Sequence, residues 1–312
     1  MKYPVRFLKS SCRSPVSMLL RLVEVSASMV FLSRAIQTLR SWRLDRAVPP
    51  VTANGRYAVV AHVFYPDLWS EIVAVWSTLP HGSHLIVTVP YGKANEVRAA
   101  AHGLSLVEVH EYENRGRDLA PFVALLNEGV LDRFDVILKI HTKKSQHLIK
   151  GELRRKLLFT ALAGDVGNVR RIIGHFDDPR VGLVGFGPFF RTSSRFWMKN
   201  RNYVEQLCLR MRPRGELSLG FFEGSMFWIR IAALDPIRSA GLQVNEFDIE
   251  TGQTDGTLHH GLERAITISS QAAGFDTLSI RGRLLMSGRS AHLLNSATFS
   301  NHNESKSPII LG

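Results

Sequence analysis

Hydrophobic runs alternate with amphipathic stretches through most of this chain. After Pro49 and Pro50, Tyr57 to Phe64 is almost continuously apolar, which reads as a buried strand that Pro66 stops. Leu68 to Leu79 places apolar residues at helical spacing, Leu85 to Val89 reads as a second strand, Lys93 to His102 as a helix and Leu104 to Val109 as a third strand. The pattern continues with a helix over Asp118 to Asn127, a strand over Val136 to Ile140, a helical stretch from Leu153 to Phe176 interrupted between Gly164 and Gly167, and a strand over Val181 to Val184. A strand over Ser225 to Ile229 and a helix over Thr257 to Ile266 follow. Such alternation predicts an α/β fold, a mostly parallel central sheet flanked by helices and wrapped by right-handed crossovers. No internal repeat is visible, and the polar stretch from Ser287 onward reads as a loosely ordered tail.

At 312 residues, with 45% hydrophobic and 21% charged positions, the chain has material for a large core, which excludes a disordered or fibrous protein. Charge changes the picture more. Of a formal net charge of +12, residues 1–48 supply +7 through nine Lys and Arg set against Glu24 and Asp45. This unevenness argues against nucleic-acid binding, which needs a basic stripe with stacking aromatics on the folded surface. An anionic membrane surface or a diphosphate ligand accounts for it better. A helix from Ser17 to Leu44 would turn Arg34, Arg40 and Arg43 to lipid head groups with Trp42 at the boundary, or would pack on the domain or a partner. Leu22 to Leu32 contains Glu24, Ser26 and Ser28 and is shorter than the ~20 residues a spanning helix needs. With only Cys12 and Cys208 there is no disulfide framework, so the expected location is cytoplasmic, peripheral at the inner face of the membrane if the basic segment lies on lipid.

Four polar blocks stand at the ends of these runs, where an open α/β sheet places its ligand crevice. In Asn114-Arg115-Gly116-Arg117-Asp118, Gly116 permits close backbone approach to a ligand, Asp118 is placed to cap the next helix, and Arg115 and Arg117 match phosphate oxygens or are solvated loop residues. The buried strand before His141-Thr142-Lys143-Lys144 ends abruptly in a histidine, a hydroxyl and two lysines, a cluster that favours an anion. A zinc site is disfavoured, because no second ligand falls at the required spacing in that segment. Gly224 and Ser225 open a strand in which Phe227 suits the core and Trp228 either the core or a sugar ring; Glu223 precedes them. Asp255 reads as an N-cap or as a general base held ionised by the helix terminus. His259 and Glu263, four apart, share a helix face on which a hydrogen bond would orient the ring, and His260 points elsewhere.

The chain resembles the rhamnan synthesis protein F family of bacterial cell-surface polysaccharide enzymes. The resemblance rests on Asn114 to Phe122, Lys139 to Ser145, Gly224 to Arg230, and Asp255-Gly256-Thr257-Leu258 with Glu263-Arg264. It covers roughly residues 55–270 and implies a glycosyltransferase, and the order of elements also looks like a GT-A fold; outside the resemblance, a basic helical segment over 1–50 and a loosely ordered tail over 286–312 are expected to flank a GT-A-like domain over 51–285. Implied partners are a nucleotide-sugar donor, thymidine diphosphate-rhamnose first among them, and a glycan or lipid-linked acceptor. Implied donor contacts are Asn114, Arg115, Gly116, Arg117, Asp118, His141, Thr142, Lys143 and Lys144; implied acceptor or sugar contacts are Gly224, Ser225, Trp228 and His259. Asp255 is the expected catalytic carboxylate, as the best placed in the blocks, with Glu223, Glu250 and Glu263 as rivals. Where GT-A enzymes carry a metal-holding Asp-x-Asp, this chain has His141-Thr142-Lys143, so no cofactor is expected and a divalent metal is not favoured.

Overall fold

The computed structural model describes residues 55–142, 151–212, 215–217, 219–288 and 309–311. The basic segment 1–50 with its expected helix, Lys143 and Lys144, and most of the polar tail lie outside the described residues. The first half runs β1 (Tyr57–His62), α1 (Trp69–Trp76), β2 (His84–Pro90), α2 (Ala94–Ala100), β3 (Val107–Tyr112), α3 (Leu119–Asn127), β4 (Val136–His141), α4 (Gly151–Ala163) and α5 (Val166–Gly174). The second half runs β5 (Val181–Gly185), β6 (Phe190–Arg191), α6 (Arg201–Met211), β7 (Gly215–Leu217), β8 (Phe221–Phe222), β9 (Phe227–Arg230), α7 (Asp235–Ser239), α8 (Leu258–Ala272), β10 (Asp276–Ser279), β11 (Leu284–Met286) and β12 (Ile309–Leu311).

Eight strands form one mostly parallel sheet in the order β11-β10-β5-β9-β4-β1-β2-β3. β1 pairs in parallel with β2 on one side and β4 on the other, with Val59 opposite Leu85 and Leu138. β9 inserts antiparallel between β4 and β5, where Trp228 faces Leu138 and Val184. Every residue of β1 and β4 is buried, as expected of strands covered on both faces. One core joins Phe122 and Leu125 of α3, Ile137 and Ile229 of the sheet, and Leu262 and Ile266 of α8. Because β2 and β4 leave β1 on opposite sides, the strand order reverses there, and a crevice opens beyond the carboxyl ends of the strands at such a point. His62 and His141, paired across the last rung of β1 and β4, stand at its edge.

The Leu153–Phe176 stretch splits where the glycines predict, with Asp165 capping α5 by accepting from the Asn168 amide at 2.8 Å. The third strand begins three residues later than its hydrophobic run implies: Leu104 and Leu106 are 37% and 40% exposed, and Leu106 turns at a φ of 66°. β9 begins at Phe227, because Ser225 sits in a left-handed turn. Helix α6 and strands β10 and β11 were not anticipated. Among the described residues no helix is long and apolar enough to cross a membrane.

Candidate active site at the carboxyl ends of β1 and β4

Lys139, on β4, is turned into the interior with 1% of its surface exposed. A buried ammonium needs a partner, and it has two: the Asp118 carboxylate and the Ser225 carbonyl at 3.1 Å. The rings of Phe122 and Phe227 lie 5.4 and 5.9 Å from the ammonium. Burial alone would raise the Asp118 pKa, but Lys139, with His141 and His62, outweighs it and holds the carboxyl far below its usual range. Asp118 stands at the N-cap position of α3 but makes no capping hydrogen bond; the buried lysine has taken its carboxylate.

Gly224 and Ser225 form a left-handed turn, with φ of 97° and 51°. Its carbonyls face β4, where Gly224 O accepts from His141 Nε2 at 2.8 Å and Ser225 O accepts from Lys139. Its donors face α8, where the Gly224 amide and the Ser225 hydroxyl donate to Glu263 Oε1 at 2.8 and 3.2 Å. Asp118, Lys139, His141, Gly224, Ser225 and Glu263 thus form one continuous network that joins all four sequence blocks.

On the β1 side, His62 is buried and its Nδ1 lies 3.0 Å from the Thr88 hydroxyl. Burial pushes its pKa down to about 4, with Asp118 opposing and His141, Lys139 and Lys93 adding to the shift. Thr142 staples the two strand ends: its amide donates to His62 O at 3.0 Å and its hydroxyl accepts from the Tyr65 amide at 3.0 Å. Fully buried and so engaged, Thr142 frames the crevice rather than contacting a ligand with its hydroxyl. Beyond it, Phe64 and Tyr65 pack edge to face at 4.9 Å, and Lys93 Nζ sits 4.1 Å over the Phe64 ring while donating to Phe64 O at 2.6 Å. This aromatic ledge was missed in the sequence, as was His62; Lys139 opens the second block, but its buried pairing with Asp118 was not read. The available signals were an aromatic pair ending a buried strand and a lysine inside an apolar run.

The arginines of the first block are committed to the protein. Arg115 meets Glu113 at 2.6 Å and Phe247 O at 3.1 Å; Arg117 meets both oxygens of Glu250 at 2.8 and 3.3 Å and also Gln253 O. Backbone bonds from Gly116 to Asp248 O and from Glu250 to Asn114 O pair this loop with residues 247–253. Gly116, at a φ of 54°, makes room for Phe247 rather than a ligand: a Cβ there would lie 2.6 Å from that ring.

Asp255 does not cap α8, which begins at Leu258 with Thr257 at the N-cap position. Its carboxylate accepts instead from the Lys199 amide at 3.0 Å, from Asn200 Nδ2 and from the Gly256 amide. Burial would raise its pKa, but these donors bring it below the usual value. Glu223 lies between Arg154 at 2.6 Å and Arg191 at 2.7 Å. His259 bonds to Thr257 Oγ1 at 3.0 Å while Glu263 serves the Gly224 turn, so the expected pairing of the two is replaced. His260 does not point elsewhere: its ring stacks on His259 with centroids 4.1 Å apart. Trp228 is fully buried, with its indole N–H donated to Leu162 O at 3.0 Å, so it belongs to the core and offers no face to a sugar. At the end of β4, His141 and Thr142 provide no carboxylate, which does not fit a hard divalent cation. Among the described residues no group of three His, Cys, Asp or Glu is placed to hold a metal.

At the switch point of this mostly parallel sheet, where an open α/β sheet places its ligand crevice, paired charges stand beside an aromatic ledge, an arrangement that can receive a polar or phosphorylated small molecule. The chain belongs to the rhamnan synthesis protein F family, which it matches over residues 18–275. It is also similar to the uncharacterized protein WxcX of Xanthomonas campestris pv. campestris, in strain B100 and in a second strain, at 32% identity over 229 residues, or 72% of this chain. The chain spans 33% of the length of those relatives.

Proposed function

We propose that this chain acts in the synthesis of a rhamnose-containing cell-surface polysaccharide as a GT-A-like glycosyltransferase domain, moving a sugar from a nucleotide-sugar donor to a glycan or lipid-linked acceptor. The observation that carries the reading, beside family membership, is the single network that brings all four sequence blocks to the switch-point crevice. The nucleoside lies against Phe64 and Tyr65, and the diphosphate lies beyond the end of β4, toward His141, with Lys143 and Lys144, which follow in the sequence, as further candidate contacts. These groups stabilise the departing diphosphate without a metal, as preorganised charge in a partly dry site does.

Of the candidate carboxylates Asp255 is the preferred base, Glu250 being held by Arg117. Glu263 is occupied with the Gly224 turn, and Glu223 is clamped by two guanidiniums that hold its pKa down against the upward push of burial. Asp255 is half-buried and fixed by neutral donors, which aim it while leaving it ionised at neutral pH. Removal of the acceptor proton by Asp255, with direct displacement at the anomeric carbon, inverts that centre.

Thermal shift with thymidine, uridine and guanosine diphosphate sugars, with and without a chelator, tests donor and metal together. One donor should stabilise the protein and survive chelation; dependence on added magnesium or manganese would sink the metal-free reading. Asp255→Asn should lower turnover by ~100-fold or more with donor binding retained, whereas near-wild-type turnover would move the base elsewhere. A second reading, a glycan-binding domain without chemistry, draws on the protein donors that engage all the candidate carboxylates. It is favoured if no donor stabilises the folded protein.

A further inference from the structure

Around Glu223 the chain sets two guanidiniums against one carboxylate, Arg191 also donating from Nη1 to Pro188 O at 3.0 Å. The β6–β8 ladder, Phe190 opposite Phe222 and Arg191 opposite Phe221, rises from the carboxyl end of β5. In the sheet β5 is separated from β1 by β9 and β4, so this ladder lies across the crevice from the aromatic ledge. Glu223 follows the ladder directly, and the next residue, Gly224, is the one that receives His141. The Glu223 carboxylate accepts from Arg154 at 2.6 Å and from Arg191 at 2.8 and 2.7 Å. One negative charge therefore faces two positive ones, with side chains 28%, 14% and 35% exposed for Arg154, Arg191 and Glu223.

Arg195 adds a third cation, exposed and with no acidic partner among the described residues. Phenylalanine faces hold all three guanidiniums: Arg154 lies 4.8 Å from the Phe189 centroid, Arg191 5.4 Å from Phe196, and Arg195 4.8 Å from Phe196. A ring against the guanidinium face leaves the donor edges for oxygen acceptors. Arg154 uses only Nη2 on a protein acceptor, so Nε and Nη1 remain to be supplied.

We propose that Arg154, Arg191 and Arg195 form an anion subsite for the phosphate of a phosphorylated acceptor, distinct from the donor diphosphate. The assignment to an acceptor rests on the transferase reading above; the anion site does not. Glu223 is then a placeholder that keeps Arg154 and Arg191 converged when no phosphate is bound.

The test is calorimetric titration of the full chain with inorganic pyrophosphate, alone and with thymidine, uridine or guanosine diphosphate saturating the donor site. Pyrophosphate should still bind when the nucleotide site is full. Arg154→Gln and Arg191→Gln should each weaken it by about tenfold, the loss of a charge-assisted hydrogen bond, without changing nucleotide affinity. Glu223→Gln should tighten it. Arg195→Gln, on an exposed side chain, should weaken it with the fold intact and serves if the buried variants do not fold.

Competition between pyrophosphate and the nucleotide at a single site, or binding indifferent to these arginines, would overturn the subsite. Equally tight arginine-dependent binding of glucuronate would overturn the phosphate assignment in favour of a carboxylate. If no nucleoside diphosphate binds while pyrophosphate still depends on Arg154 and Arg191, the transferase reading fails and the anion site stands.

Discussion

At the amino ends of β1 and β4, charged side chains meet in water: Arg56 pairs with Asp135 at 2.9 Å with 63% and 41% of the two side chains exposed. At the carboxyl end of β4, Lys139 and Asp118 pair with only 2% and 11% exposed. The amino end also holds a cavity of about 340 Å³ edged by Arg56, His81, His84, Arg133 and Phe134. That is large enough for a small ligand, yet Arg56 and Arg133 already have acid partners there, Asp135 and Glu108. Cavity size therefore does not mark the candidate site; buried charge does. A buried pair seldom adds stability over an apolar pair of the same volume. What this pair does is geometric: with the bonds from Lys139 and His141 to the Gly224–Ser225 turn, it holds that turn and the end of β4 in one arrangement.

The widest separation between the two ends should come from breaking each pair. Lys139→Met strands Asp118 as a buried, uncompensated carboxylate and should cost ~3–5 kcal/mol in urea unfolding. Lys139→Met with Asp118→Leu should recover much of that loss. Arg56→Gln should leave the unfolding midpoint unchanged. If the lysine variant proved as mild as the arginine one, the two ends would not differ in the way described.

Two glycines sharpen the contrast on a smaller scale. Gly82, at the cavity, and Gly116, near the crevice, both have left-handed backbones, at φ of 84° and 54°. A Cβ on Gly82 meets nothing within 4 Å, whereas one on Gly116 would lie 2.6 Å from the Phe247 ring and 2.8 Å from Ala120 Cβ. Gly82→Ala should cost about 1 kcal/mol, the backbone penalty alone. Gly116→Ala should cost about 3 kcal/mol, because overpacking is added to it. Equal losses would mean that Phe247 moves aside freely and that the 114–117 loop is not held by packing.

The same contrast governs what the sequence makes legible. Hydrophobic alternation predicts β1, β2, β4, β5 and their helices to within a few residues, because a strand covered on both faces is apolar throughout; the half-buried edge strand β3, with Glu108, His110 and Glu111, is the one it places three residues early. It does not reveal that β9 runs backwards, since a short apolar run reads the same in either direction. The four blocks are visible as departures from apolar pattern, but their partners are not. Asp118 and Asp255 both read locally as helix caps, and each is captured by a group far along the chain, Lys139 for one and Asn200 with the Lys199 amide for the other. Arg117 reads as a phosphate ligand until Glu250 arrives from 133 residues away. Long-range charge pairing is decided by the assembled fold, which local spacing does not contain.

The last contrast is graded by pH rather than made by a single substitution. His62 and His259 have pKa values pushed down to about 4 and about 3, burial being the first cause in both. Each therefore stays neutral in the folded protein while its unfolded counterpart takes up a proton below about 6.5. Stability falls as pH drops through that value and keeps falling until the folded pKa is reached. Between pH 7 and pH 5 each ring should remove ~2 kcal/mol. Asp118 does not confuse this window: its folded pKa is depressed, so its contribution is fully present above the ordinary carboxylate range and is lost only in stronger acid. Urea unfolding at pH 7, 6 and 5 reads the slope directly, and His62→Gln should remove the His62 share of it. A flat response between pH 7 and pH 5 would mean that both rings accept protons in the folded state, and the carboxyl end of the sheet would then be as open to water as the amino end.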